Sequence, residues 1–181
     1  LQKDNLAELL SNLIDAKLID KFFIEEEILQ DKNWNEEWEK NLKIIRVSDR
    51  IIIKPSFKEY EPKSDEIIIT IDPKMSFGTG EHATTKLSLQ ALEKYVKPNY
   101  KVLDVGTGTG ILAIASIKLG ASYALGIDND EWSIENSLEN IKRNNVEDKI
   151  EIELNEISNI KKNEFDLIVA NIQKNILLEI A

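Results

Sequence analysis

The stretch Val102-Leu-Asp-Val-Gly-Thr-Gly-Thr-Gly-Ile-Leu112 decides the fold. Its start reads as a buried strand, its three glycines as a turn, and the apolar run from Ile111 as the opening of a helix. Glycines at 106, 108 and 110 let a ligand approach the backbone closely, and a helix N-terminus offers it free N–H groups. A dinucleotide fingerprint, G-x-G-x-x-G, would need its third glycine at position 111, where this chain has Ile111. The spacing is G-x-G-x-G, preceded by Asp104. An anion there would repel a pyrophosphate and suit a ligand carrying an ammonium or sulfonium. Asp128 lies 22 residues after Gly106, at the end of the next apolar run. A carboxylate in that place can accept both hydroxyls of a ribose, or it can cap a helix starting near Glu131.

Outward from this stretch, short apolar runs alternate with helical patterns. Helices are predicted over about 84–96, stopped by Pro98, and over about 111–119 and 131–143. Strands are predicted at Lys101–Val105, Tyr123–Ile127, Ile150–Leu154 and Phe165–Ala170. This alternation predicts an α/β fold with a doubly wound parallel sheet and a ligand at the carboxyl ends of its strands. Ending a sheet at Phe165–Ala170 would leave a long apolar edge, so the natural protein is expected to continue past Ala181. Because the chain begins with Leu1 rather than Met, part of the natural N-terminus is likewise expected to be absent.

Residues 1–72 read differently. All seven glycines lie after residue 76. Asp4 is a candidate cap for a helix carrying Leu6, Leu9, Leu10, Leu13 and Ile14, followed by a strand-like Phe22-Phe23-Ile24 and a short helix around Trp34 and Trp38. Three β-rich runs follow, Lys43–Val47, Arg50–Lys54 and Glu66–Ile71, the first two joined by a Ser48-Asp49 turn. The expected division is an α+β segment over 1–72 and a ligand-binding domain over 73–181.

Composition narrows the chemistry. A chain of 181 residues with 42% hydrophobic and 31% charged residues can bury roughly 70% of its unfolded surface, which excludes a disordered or fibrous protein. It has no cysteine and one histidine, His82, which excludes disulfides and thiolate chemistry and argues against a His-based zinc or iron site, leaving only a carboxylate-bound hard cation open; no metal is expected. The net charge of -10 is evenly spread, residues 1–75 carrying 12 basic and 17 acidic side chains and residues 76–181 carrying 11 and 16. Neither part resembles a nucleic-acid arm, and such a surface suits a basic protein partner. No apolar run approaches the ~20 residues of a membrane span, so a cytoplasmic location is expected.

A second glycine-hinged loop, Met75-Ser-Phe-Gly-Thr-Gly-Glu-His-Ala-Thr-Thr85, opens the helix near residue 84. It lacks the Gly-Lys-Ser/Thr ending of a P-loop. Thr84 or Thr85 could cap the helix, and Phe77 could be a core plug or a lid over a ligand. Together with Leu103–Leu112, Gly126-Ile-Asp128 and Val169-Ala-Asn-Ile172, this loop closely resembles the ribosomal protein L11 methyltransferase family. Trp34-Asn-Glu-Glu-Trp38 and Ile53-Lys-Pro-Ser-Phe57 resemble that family's interdomain region, so the likeness runs from about residue 33 to the end.

The resemblance implies a class I, Rossmann-like methyltransferase fold, incomplete at its C-terminal end, that binds S-adenosyl-L-methionine. It implies cofactor contacts at Phe77, Gly78, Thr79, Thr85, Asp104, Gly106, Gly108, Asp128 and Asn171. Asn155-Glu156 stands where relatives more usually have Asp beside the adenine. The implied reaction is methylation of lysine ε-amino and N-terminal α-amino groups of a basic stalk-base protein of the large ribosomal subunit, by a monomer needing neither nucleic acid nor membrane. Asn171 is the candidate catalytic residue, orienting the amine by hydrogen bonding. Two other readings compete: an enzyme acting on a nucleic-acid base or a glutamine, and a non-catalytic adenosine-binding module. The former usually shows Asn-Pro-Pro-aromatic where this chain has Asn171-Ile-Gln-Lys174.

Overall fold

Isoleucine-rich runs form strands here because β-branched side chains are stiff at χ1 and pack well on a pleated surface. The structure is a computed structural model and describes residues 3–22, 42–74, 76–160 and 165–180. It divides into two compact units, Leu1–Glu37 and Trp38–Ala181. In the first, helix α1 (Lys3–Asp15) takes up the predicted leucine-rich segment. Asp4 lies inside this helix rather than ahead of it as a cap. Phe22 is irregular; Phe23, Ile24 and the Trp34/Trp38 pair lie outside the described residues.

The second unit begins with a three-stranded sheet of β1 (Ile45–Arg46), β2 (Ile51–Lys54) and β3 (Ile67–Thr70). The predicted turn is present, with the Ser48 hydroxyl accepting from the N–H groups of Arg50 and Ile51 at 3.2 and 3.0 Å. Strand β1 is shorter than expected. Its antiparallel register, Ile45 opposite Ile53, would bring Lys43 to Pro55, which has no N–H to donate. Strand β3 runs parallel to β2.

A four-stranded parallel sheet follows, built from β4 (Lys101–Val105), β5 (Tyr123–Asp128), β6 (Ile150–Leu154) and β7 (Leu167–Ala170). Helices α2 (Ala83–Tyr95), α3 (Ile111–Lys118) and α4 (Glu131–Arg143) precede β4, β5 and β6 respectively, and α5 (Lys174–Ile180) follows β7. The strand order β6-β5-β4-β7 bears out the doubly wound prediction. The chain winds outward from β4 to β6 and returns to the other side of β4, creating a switch point between β4 and β7 where ligands bind in such sheets. No helix among the described residues is long and apolar enough to cross a membrane.

Helix α3 explains why the two sheets share one core. Residues 111–117 are all buried, and a helix apolar all round must be covered all round. It packs on β4 and β5 and also on β3, in one cluster with Ile51, Ile53 and Ile69. Its one interior hydroxyl, on Ser116, bonds back to the Leu112 carbonyl at 2.8 Å. Residues alternate in β4, Val102 facing this cluster while Leu103 and Val105 face a second one with Leu125 and Ile127. Asp104 shares a face with Val102 and so points toward α3.

Candidate functional site

The turn after β4 is fastened to the end of β5. The N–H groups of Gly106 and Thr107 both donate to the Ile127 carbonyl, at 2.9 and 3.0 Å. The Gly108 N–H donates to Asp128 Oδ2 at 2.9 Å, while Asp128 Oδ1 accepts from the Asp130 N–H at 3.2 Å. The cap of α4 is Asp130, which takes the N–H groups of Trp132 and Ser133. Asp128 is thereby released from the capping role that the sequence left open. It lines a cavity of about 400 Å³ together with Gly106, Asn129, Asn155, Glu156 and Ile172. This is the carboxyl end of the sheet, beside the switch point.

Gly106 has φ +71 and Gly108 φ +54, both in the left-handed region that glycine tolerates. A Cβ on Gly106 would collide with the side chain of Ile172, itself part of the cavity wall. A bare backbone, a carboxylate and apolar flanks suit the glycosyl part of an adenosine. Asn155 and Glu156 both reach this cavity, so the segment after β6 does contribute to it.

Asp104 is placed differently from the expectation that its charge faces the ligand. It is fully buried and is not among the cavity residues. Its Oδ2 accepts from the Thr107 hydroxyl at 2.8 Å and from the Ala113 N–H, at the start of α3, at 3.1 Å. Burial pushes this carboxyl up to about 7; Thr107 and Ala113 oppose the rise and Asp128 adds to it. Asp104 Oδ1 is buried without a partner, the natural place for the proton of a neutral acid.

The second glycine loop lies directly on the first. The Phe77 carbonyl accepts from the Thr109 N–H at 3.0 Å, and the Gly78 carbonyl from the Thr109 hydroxyl at 2.9 Å. Phe77 is 52% exposed, with its ring 4.9 Å from that of His82, and so is not a core plug. Thr79 accepts from the Glu81 N–H and stays within its own loop. Helix α2 starts at Ala83, with His82 in the cap position and no side-chain cap. Thr84 and Thr85 therefore do not cap it. Thr85 is buried, its hydroxyl accepting from Asn171 Nδ2 at 3.2 Å. The two residues are 86 positions apart and meet across the switch point.

Sequence reasoning missed Thr109, two asparagines of α4 and the asparagine at its C-cap. Asn136, Asn140 and Asn144 recur at intervals of four and lie on the buried face of the helix. Asn144 pairs with Thr70 through both backbone groups, at 2.9 and 2.7 Å. Asn140 and Asn136 hold Asp72. Polar residues at a helical period where apolar ones are expected were the available signal.

Comparison with known proteins gives the family. The family model described as "Ribosomal protein L11 methyltransferase (PrmA)" matches residues 1–181. A ribosomal protein L11 methyltransferase of Chlorobaculum parvum is 47% identical over 155 residues, covering 82% of this chain and 53% of that protein. One from Clostridium perfringens is 42% identical over 154 residues, covering 85% and 49%. The chain thus spans about half the length of these curated relatives. The crystal structure of ribosomal protein L11 methylase from Lactobacillus delbrueckii subsp. bulgaricus is 40% identical, with a TM-score of 0.69 over 76% of this chain and 70% of that one. This chain belongs to the ribosomal protein L11 methyltransferase family.

Proposed function

We propose that the protein is an S-adenosylmethionine-dependent methyltransferase acting on amino groups of ribosomal protein L11, at lysine side chains and the N-terminus. It works in the cytoplasm as a monomer, without nucleic acid or membrane. The observation that supports this most is the half-buried Asp128 carboxylate on the wall of a cavity floored by the Cβ-free Gly106. In this reading Asp128 accepts from the ribose hydroxyls, Asn155 and Glu156 flank the adenine, and the turn at 106–108 carries the amino-acid end. S-adenosylmethionine, when bound, supplies an electrophilic methyl group to an amine.

The chain's own part is alignment, which can contribute roughly 7–11 kcal/mol when reacting groups are held in line. The acceptor amine must be neutral, and exclusion of water at the switch point favours that form. Asn171 donates through Nδ2 to Thr85, which leaves Oδ1 to accept from the amine.

In the full-length enzyme, Asp128→Ala is expected to weaken S-adenosylhomocysteine binding by about 1.5–3 kcal/mol, the usual loss for hydrogen bonds to a charged group. Calorimetry reads this directly, and an unchanged dissociation constant removes Asp128 from the site. Asp128→Asn keeps an acceptor for the Gly108 N–H and separates loss of charge from loosening of the turn.

Asn171→Ala should act on turnover instead. An interaction with the incoming amine is absent from the binary complex, so kcat falls on the order of 100-fold while cofactor affinity changes little. Thr85→Val, which removes the partner that fixes the amide, should lower kcat in the same direction. A fall in affinity with kcat preserved at saturation would make Asn171 a cofactor contact only.

A further inference from the structure

Every polar group of Thr109 is tied to the segment that enters the second glycine loop. Its N–H meets Phe77, its hydroxyl meets Gly78, and its carbonyl accepts from Asn140 Nδ2 at 3.1 Å. The same Asn140 amide takes the Asp72 N–H on Oδ1 at 3.0 Å and approaches the Asp72 carbonyl at 3.4 Å. Asn136 adds a donor bond to that carbonyl at 2.9 Å, and Arg143 an ion pair to the Asp72 carboxylate at 3.0 Å. Asp72 is therefore anchored on α4, and Phe77 and Gly78 on the glycine turn. Asn140 is the side chain that touches both anchors, and it is fully buried.

We propose that Asn140 is a positioning residue for the cofactor: it sets the distance between Asp72 and the turn at 106–110, and so holds the second loop against the turn that carries the amino-acid end of the bound cofactor. The inference rests on the cofactor reading above. Its physical basis is the planar amide, whose donor and acceptor lie in fixed directions, so that one rigid group gauges two backbones. A hydrophobic contact would let them slide. Asn144, one turn further on at the C-cap of α4, makes an equivalent pair of bonds to Thr70 and has no hydrogen bond to the glycine turn. It serves as the structural control.

In the full-length protein, Asn140→Ala and Asn144→Ala should lower the thermal midpoint by similar amounts, since each loses bonds from both amide atoms. Only Asn140→Ala should raise the dissociation constant for S-adenosylhomocysteine, by about tenfold. Equal weakening by both variants, or wild-type affinity in Asn140→Ala, overturns the proposal. Should Asn140→Ala fail to fold, hydrogen exchange on the wild type decides. Addition of S-adenosylhomocysteine should slow exchange over 72–78 together with 106–110, and protection confined to 106–110 rejects the coupling. Absence of any S-adenosylhomocysteine binding by the wild type would sink the cofactor reading itself, an outcome distinct from the other three.

Discussion

Asp104→Asn is expected to abolish a loss of stability of about 4 kcal/mol that the native protein undergoes as pH rises from about 4 to about 7. The folded carboxyl titrates at about 7 against an ordinary 3.8. Between these values the unfolded chain has released its proton and the folded chain still holds it. Stability therefore falls with rising pH, by roughly 1.4 kcal/mol per pH unit, and the full deficit remains above pH 7. Below about 4 both states are protonated and the residue contributes no pH dependence. Asparagine imitates the neutral acid, since its side-chain oxygen can keep the bonds from Thr107 and Ala113. Urea unfolding of wild type and variant at pH 4, 6 and 8 should give curves that diverge with pH, the variant being the more stable at pH 8. Parallel profiles would mean that the carboxyl ionises normally. Glu66 works in the opposite sense: the Lys63 N–H and the Arg46 guanidinium hold it at about 2. Its contribution is present above about pH 4.5 and lost on acidification, and it is common to both proteins, so the difference between them isolates Asp104.

The other large effect is at Gly108. A Cβ there would run into the Phe77 carbonyl oxygen, the very atom that accepts from Thr109. Because that obstacle is backbone rather than the end of a flexible side chain, the second loop must move off the first. Gly108→Ala adds about 1–2 kcal/mol for a left-handed conformation to the loss of at least one hydrogen bond, for a total of about 3 kcal/mol. Binding of S-adenosylhomocysteine should fall at least about 100-fold, because the glycine turn that floors the site shifts with the loop stacked on it. Gly110→Ala provides the comparison. Its φ is +79, but the nearest obstacle is Ser137 Cβ at 3.2 Å, which a small adjustment relieves. It should show the conformational cost alone and bind within a few fold of wild type. Equal losses at the two glycines would contradict the stacking of the two loops.

By itself the sequence determined what is encoded within one or two turns of chain. Alternation of apolar strands and helices specified the parallel sheet, and the three glycines after Val105 located its ligand-binding end. The interval to Asp128 placed a carboxylate beside them, and the missing glycine at 111 argued against a dinucleotide. These features are local because backbone dihedrals and side-chain periodicity are set by near neighbours. Tertiary structure decided the rest. In β4, whose Val102, Leu103, Asp104 and Val105 are all buried, hydrophobicity could not show which face Asp104 takes; only the covering of that face by α3 turned it inward, to a titrating strut. Asp130, not Asp128, became the cap of α4, freeing Asp128 for the cavity. The meeting of Thr85 with Asn171, and of Asp72 with Thr109 through Asn140, joins segments whose separation in sequence carries no periodic signal. Such contacts arise only when packing brings distant backbones within hydrogen-bond reach, because burial then obliges every polar group between them to find a partner.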